Sequence, residues 1–136
     1  MSASFRDDFD KPALGANWVV TSHGRLGATD WKAENVFLKD GNLVLRHRLK
    51  PSMNGAELKW KEPVLYGTLS ARIKSGTARG VLSTLFFYGW FEGRVHEIDV
   101  IELFPDQADA PNLTSYMEWA ESDEHKPGPH YFHAQP

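Results

Sequence analysis

The chain of 136 residues contains no cysteine. Disulfides and cysteine-based zinc or iron–sulfur sites are therefore excluded. No apolar run approaches the roughly 20 residues that a membrane helix requires, so no membrane partner is expected. The first residues, Met1-Ser-Ala-Ser4, do not have the pattern of a signal peptide. Positive charge is not in excess: 15 Lys and Arg against 18 Asp and Glu leave a net charge of −3. A nucleic-acid partner is not expected either, because phosphate binding rests on clustered positive charge. The sequence also lacks internal repeats, low-complexity tracts and any window with the spacing of an amphipathic helix.

What is present is aromatic and strand-forming. Five Trp, four Tyr and eight Phe make up 12% of the chain. That share supplies core, and it also suits sugar surfaces, where a flat ring stacks on a pyranose and an N–H finds a hydroxyl. Strands are expected at Asn17–Thr21, Asn35–Lys39, Asn42–Arg48, Gly55–Lys61, Val64–Ser75, Val81–Phe91, Arg94–Phe104 and Asn112–Ala120. Asp40-Gly41 suits the positive φ angles of a tight hairpin turn. In Tyr66–Lys74, Leu69, Ala71 and Ile73 alternate with Thr68, Ser70, Arg72 and Lys74, the period of two of a half-buried strand. Short strands separated by turn signals predict an all-β fold, an antiparallel sandwich or barrel. Two segments are expected: a β domain over residues 1–120, and a loop or extended arm over 121–136, rich in Pro, Gly and His.

The chemistry concentrates in His96-Glu-Ile-Asp-Val-Ile-Glu-Leu-Phe104. Three carboxylates stand among strand formers, which predicts one dry face and one acidic face. Glu97 and Asp99 are two apart and share a face. Glu102 is three beyond Asp99, so regular alternation would bury its charge at a cost of about several kcal/mol. One extra residue near Val100-Ile101, a β-bulge, returns Glu102 to the face of the other two. A row of carboxylates suits glycoside hydrolysis, with one as nucleophile and one as proton donor. Like charges close together keep one of them protonated. The row can equally be an acidic sheet face paired with Arg72, Lys74 or Arg94, or a calcium site. His125, His130 and His133 can bind a metal, although in a Pro-rich tail such histidines are more often solvated.

Glu97-Ile-Asp-Val-Ile-Glu102 resembles the signature of glycoside hydrolase family 16, in the bulged form of its laminarinase-like branches. Phe5-Arg-Asp-Asp-Phe-Asp10, Leu14-Gly-Ala-Asn-Trp18, Asp40-Gly-Asn-Leu-Val-Leu45, Gly55-Ala-Glu-Leu58, Tyr66–Lys74 and Gly80–Tyr88 resemble further family stretches in the same order. The resemblance runs from about residue 5 to 119. It implies a concanavalin-like jelly roll of two antiparallel sheets, the concave one forming a sugar cleft. It further implies retaining, endo-acting hydrolysis of a β-linked polysaccharide. Glu97 would be the nucleophile, Glu102 the acid/base, and Asp99 would tune the charge and orient Glu97. Trp90, Phe87, Tyr116 and Asn112 would contact substrate, and His96 would point away from the cleft. No cofactor is implied, beyond room for a structural calcium near the Gly41 carbonyl. A polymeric substrate implies a secreted or periplasmic location.

The chain is shorter than the family's usual domain, so the jelly roll is expected in truncated form. The family's later His-x-Tyr-x-x-x-Trp stretch has a counterpart only in a faint match at His130-Tyr131-Phe132. Sheets left with raw edges invite pairing. A homo-oligomer, or a second chain completing the sheets, is therefore expected. A sugar-binding or assembly jelly roll without turnover is the alternative to the enzyme.

Overall fold

Strand formation follows the β-branched and aromatic clusters, and turns follow glycine. In the computed structural model, residues 4–64, 67–91, 94–105, 112–118 and 130–133 are described. Among them there is no α-helix, only a 3₁₀ turn at Ala33–Asn35. Eleven strands pair in four sheets, antiparallel except for one short parallel pair. This all-β arrangement is consistent with a jelly-roll β-sandwich, with four sheets among the described residues where two continuous sheets were expected. The chain divides into two units, Met1–Leu69 and Ser70–Pro136.

In the first unit, β1 (Trp18–Thr21) pairs antiparallel with β7 (Glu57–Trp60), Trp18 opposite Trp60 and Thr21 opposite Glu57. Alternation puts Trp18, Val20, Leu58 and Trp60 on one face. The Trp18 and Trp60 rings meet edge-on at 5.2 Å, and Phe5 lies over Trp60 at 3.8 Å. Asp7 fixes the incoming chain. Its carboxylate accepts from Trp18 Nε1 at 2.8 Å and from the Phe9 backbone N–H at 2.9 Å.

The hairpin of β2 (Gly24–Leu26) and β3 (Thr29–Trp31) turns at Gly27, whose φ is +60°. Strand β3 also pairs, in parallel, with β6 (Asn54–Gly55). A second hairpin joins β4 (Val36–Lys39) to β5 (Asn42–Leu45). Its Asp40-Gly41 turn has φ of +52° and +69°, the left-handed pair that a two-residue hairpin loop demands.

Asn35, Val36 and Gly55 are the buried centre of this unit. Asn35 is 1% exposed. Its Nδ2 donates to Asn54 Oδ1 (2.8 Å) and to the Gly55 carbonyl (3.0 Å), while its Oδ1 accepts from Arg46 Nε (3.0 Å). Every hydrogen-bonding group of a buried amide is thus used, as low-dielectric burial requires. Gly55 leaves room for its neighbours: an added Cβ would stand 3.1 Å from Thr29 Cγ2 and 3.5 Å from both the Trp31 and His47 rings.

The second unit is one sheet in the order β11-β10-β9-β8: β8 (Ser83–Phe91), β9 (Arg94–Leu103), β10 (Asn112–Glu118) and β11 (His130–His133). Two expectations change here. The period-two segment at 64–75 forms no ladder among its described residues, and Leu69 and Ile73 are exposed. Alternation marks which side chains would be dry, but a strand also needs a partner edge, and no described strand pairs with this segment. Conversely, residues 130–133, expected in a loop or arm, form β11 on the free edge of β10. The rest of the expected arm lies outside the described residues.

Candidate active site

The acidic strand is β9, and its register decides what its carboxylates can do. Counting back from the pair Phe91–Arg94, Tyr88 stands opposite Glu97, Phe87 opposite Ile98 and Phe86 opposite Asp99. The register then shifts, and Leu85 faces Ile101 while Thr84 faces Glu102. Strand β10 shows the same slip: Tyr116 pairs with Glu97, Thr114 with Asp99, and Asn112 with Glu102. Two steps on either neighbour match three on β9, so the extra residue belongs to β9, at Val100-Ile101.

The faces follow. Directly opposed residues share a face, and Thr84, Phe86 and Tyr88 alternate regularly along β8. Their partners Glu102, Asp99 and Glu97 therefore share one face. Ile98, Ile101 and Leu103 take the other, with Phe87, Leu85 and Ser83. Thr84 also secures the bulge, its hydroxyl donating to the Ile101 carbonyl at 3.0 Å.

All three carboxylates are half-buried. The carboxyl of Asp99 is pushed above its ordinary range, first by burial and then by the negative charge of Glu102. Asp99 thus keeps its proton to higher pH than a solvated aspartate, and a protonated carboxyl can donate a hydrogen bond. Arg72 and Lys74, considered as partners for an acidic face, make no ion pair with an acid among the described residues. Also among the described residues, no group of three His, Cys, Asp or Glu is placed to hold a metal ion.

The structure brings together Glu97, Asp99 and Glu102, and sets Asn112 and Tyr116 in register beside the first and last of them. Phe87 is not brought to the acids; it is paired with Ile98 on the opposite face. Trp90 pairs with Val95. His96 pairs with Gly89, out of phase with Glu97, as expected. Sequence reasoning missed Tyr88, Phe86 and Thr84. The sequence carried no separate signal for them, because the β8–β9 register is set by the pairing of Phe91 with Arg94. Tyr88, 56% exposed, stands beside Glu97 on the acid side.

The first unit holds a second polar group. Glu57 is met by Lys59 Nζ at 3.1 Å and by His23 Nε2 at 3.5 Å. Burial raises its carboxyl's pKa. The neighbouring Lys59, Thr21 and His23 outweigh that and hold it below its ordinary range. His23 in turn stacks on Trp31 at 5.4 Å.

Residues 25–131 match the family model described as "Glycosyl hydrolases family 16". The match covers more than half of the chain, and the protein belongs to that family. It is accordingly a glycoside hydrolase at the level of its family. No curated protein and no solved structure matches the chain.

Proposed function

We propose that the chain is the catalytic part of a retaining endo-glycosidase acting on a β-linked polysaccharide, a β-1,3- or mixed-linkage glucan or a related polymer. The observation that carries this reading is the bulge in β9, which sets Glu97, Asp99 and Glu102 on one face between Tyr88 and Tyr116. A strand that merely displayed acids to solvent would not need the register break.

In the proposed reaction the Glu97 carboxylate attacks the anomeric carbon. The bond to the leaving oxygen breaks as Glu102 delivers its proton to that oxygen. A covalent glycosyl ester on Glu97 results. Glu102, now ionised, takes a proton from water, the water oxygen attacks the same carbon, and the ester bond breaks to free Glu97. Two inversions give net retention. Carboxyls in such a pair stand about 5–5.5 Å apart, with no room for a water between nucleophile and sugar. Asp99, between the two in sequence and pushed toward its protonated form by burial and by Glu102, is suited when protonated to donate a hydrogen bond to Glu97 and keep it in line. Substrate would lie across the strands, its rings against Tyr88 and its hydroxyls on Asn112 and Thr114. A polymer of this kind is met outside the cell, so secretion or periplasmic export goes with the proposal.

The test is release of reducing ends from laminarin, lichenan, agarose and carrageenan, with proton NMR on the first product. The reading expects β anomer to form first. A first-formed α anomer means inversion and contradicts the assignment. A protein that binds one of these polymers without cleaving it is a carbohydrate-binding jelly roll instead.

A further inference from the structure

Of the five asparagines in the chain, only Asn54 is followed by glycine. The fold demands both residues of the pair. Asn54 uses its amide at both ends: Oδ1 accepts from Asn35 Nδ2 at 2.8 Å, and Nδ2 donates to the Ser52 carbonyl at 3.2 Å. Gly55 is buried and admits no side chain, because Thr29 Cγ2 stands 3.1 Å from where a Cβ would be. Together the two form β6, a strand of two residues. It lies parallel to β3, Asp30 beside Asn54 and Trp31 beside Gly55. The Asn54 backbone also exchanges two hydrogen bonds of 2.9 Å with Arg48.

We propose that Asn54 is a latent modification site, which converts to aspartate and isoaspartate through a cyclic imide with Gly55 when β6 detaches from β3. The site is independent of the glycan reading. In the first step the Gly55 backbone nitrogen attacks Asn54 Cγ and gives its proton to solvent. The Cγ–Nδ2 bond breaks, and the amide nitrogen leaves as ammonia. Water then adds to one of the two imide carbonyls, and the bond from that carbon to the ring nitrogen breaks. Addition at Cγ leaves aspartate. Addition at the backbone carbonyl carbon leaves isoaspartate, with the main chain routed through Cγ. Glycine favours ring closure, since it has no side chain to crowd its nitrogen. The folded chain opposes closure. The Gly55 nitrogen must swing over the Asn54 side chain, and the extended backbone of a paired strand holds the two apart. A two-residue strand has few hydrogen bonds to lose, so it opens at less cost than unfolding the whole unit. The product does not fit back. Isoaspartate lengthens the main chain by one carbon. Either acid lacks the donor to Ser52 and sets a carboxylate oxygen against that carbonyl. The saturated cluster around Asn35 then comes apart, so the site sets a working life for the chain.

The experiment is timed incubation of the full chain at mildly alkaline pH in three solutions: buffer, urea below the unfolding transition, and urea above it. Peptide mapping by mass spectrometry follows each asparagine. In the unfolded chain, conversion at Asn54 should outpace conversion at Asn42, which precedes Leu43. In buffer it should be at least about tenfold slower than in the unfolded chain, and it should change little on adding urea below the transition, as a local opening requires. Aged chain carrying isoaspartate at position 54 should melt lower than fresh chain. Equal rates in the folded and unfolded chain overturn the shielding by β3. A rate that climbs with urea in step with global unfolding overturns the opening of β6. No preference for Asn54 in the unfolded chain overturns the site itself. Aged chain that melts like fresh chain overturns the limit on working life.

Discussion

The two units use carboxylates and amides in opposite ways. In Met1–Leu69, polar groups close on one another: Asn35 is saturated by Asn54, Gly55 and Arg46, and Glu57 is flanked by Lys59 and His23. In Ser70–Pro136, three acids share one face of a sheet, and one of them, Asp99, is driven toward its protonated form. Satisfied polar groups specify a fold. Crowded like charges weaken one, and they are kept where chemistry needs a proton out of its ordinary range. The contrast fits a structural role for the first group and the proposed chemistry for the second.

Substitutions should separate the two. The largest effect is expected at Glu97→Gln, which removes the proposed nucleophile and should lower kcat by about a thousandfold or more. Its melting temperature should stay near that of the wild type. A melting temperature that fell along with activity would erase the distinction. Asn35→Ala should do the reverse. It strands buried donors and acceptors, and should cost about 3 kcal/mol in a urea titration, with kcat per folded molecule unchanged.

Thr84→Val sharpens the comparison, because Thr84 lies on the acid side yet acts through the backbone. Losing its bond to the Ile101 carbonyl should cost about 1 kcal/mol. It should also lower kcat more than KM as the bulge loosens. Crystallography of the variant would show whether Glu102 still shares the face of Glu97.

The smallest effects are in pH dependence, and they have opposite signs. Glu57 titrates lower in the folded chain than in the unfolded one. Its stabilisation is present above the unfolded value and is lost as pH falls through the folded value. Asp99 titrates higher when folded, so its contribution is full below the unfolded value and is lost as pH rises through the folded one. Stability measured from pH 3 to 8 should therefore lose part of its acid limb in Glu57→Gln. In Asp99→Asn the loss on rising through the carboxylate range should be the part that flattens.

Much of this was legible in the sequence, for local reasons. The Asp40-Gly41 hairpin announces itself by the only residue pair that tolerates its φ angles at low cost. The bulge in β9 follows from arithmetic on three acids and the cost of burying one. What was not legible depended on partners far along the chain. Residues 67–75 alternate like a strand but pair with no described strand. His130–His133 looks like a loop by composition and becomes a strand because β10 offers an edge. Phe87 was expected on the acid face and stands on the other, opposite Ile98, because the β8–β9 register depends on a pairing the sequence does not display. Gly27, at the turn of β2 and β3, was a signal passed over: glycine at the first loop position of a two-residue hairpin.

The account stands most directly on Glu97 being the residue that forms the covalent bond. A 2-deoxy-2-fluoro glycoside with a good leaving group slows the second step and lets the ester accumulate. Peptide mapping by mass spectrometry then finds its site. The account predicts a single glycosyl adduct on Glu97, absent in Glu97→Gln. An adduct on Asp99 or Glu102, or turnover of the glycan with no adduct on any of the three, would contradict it.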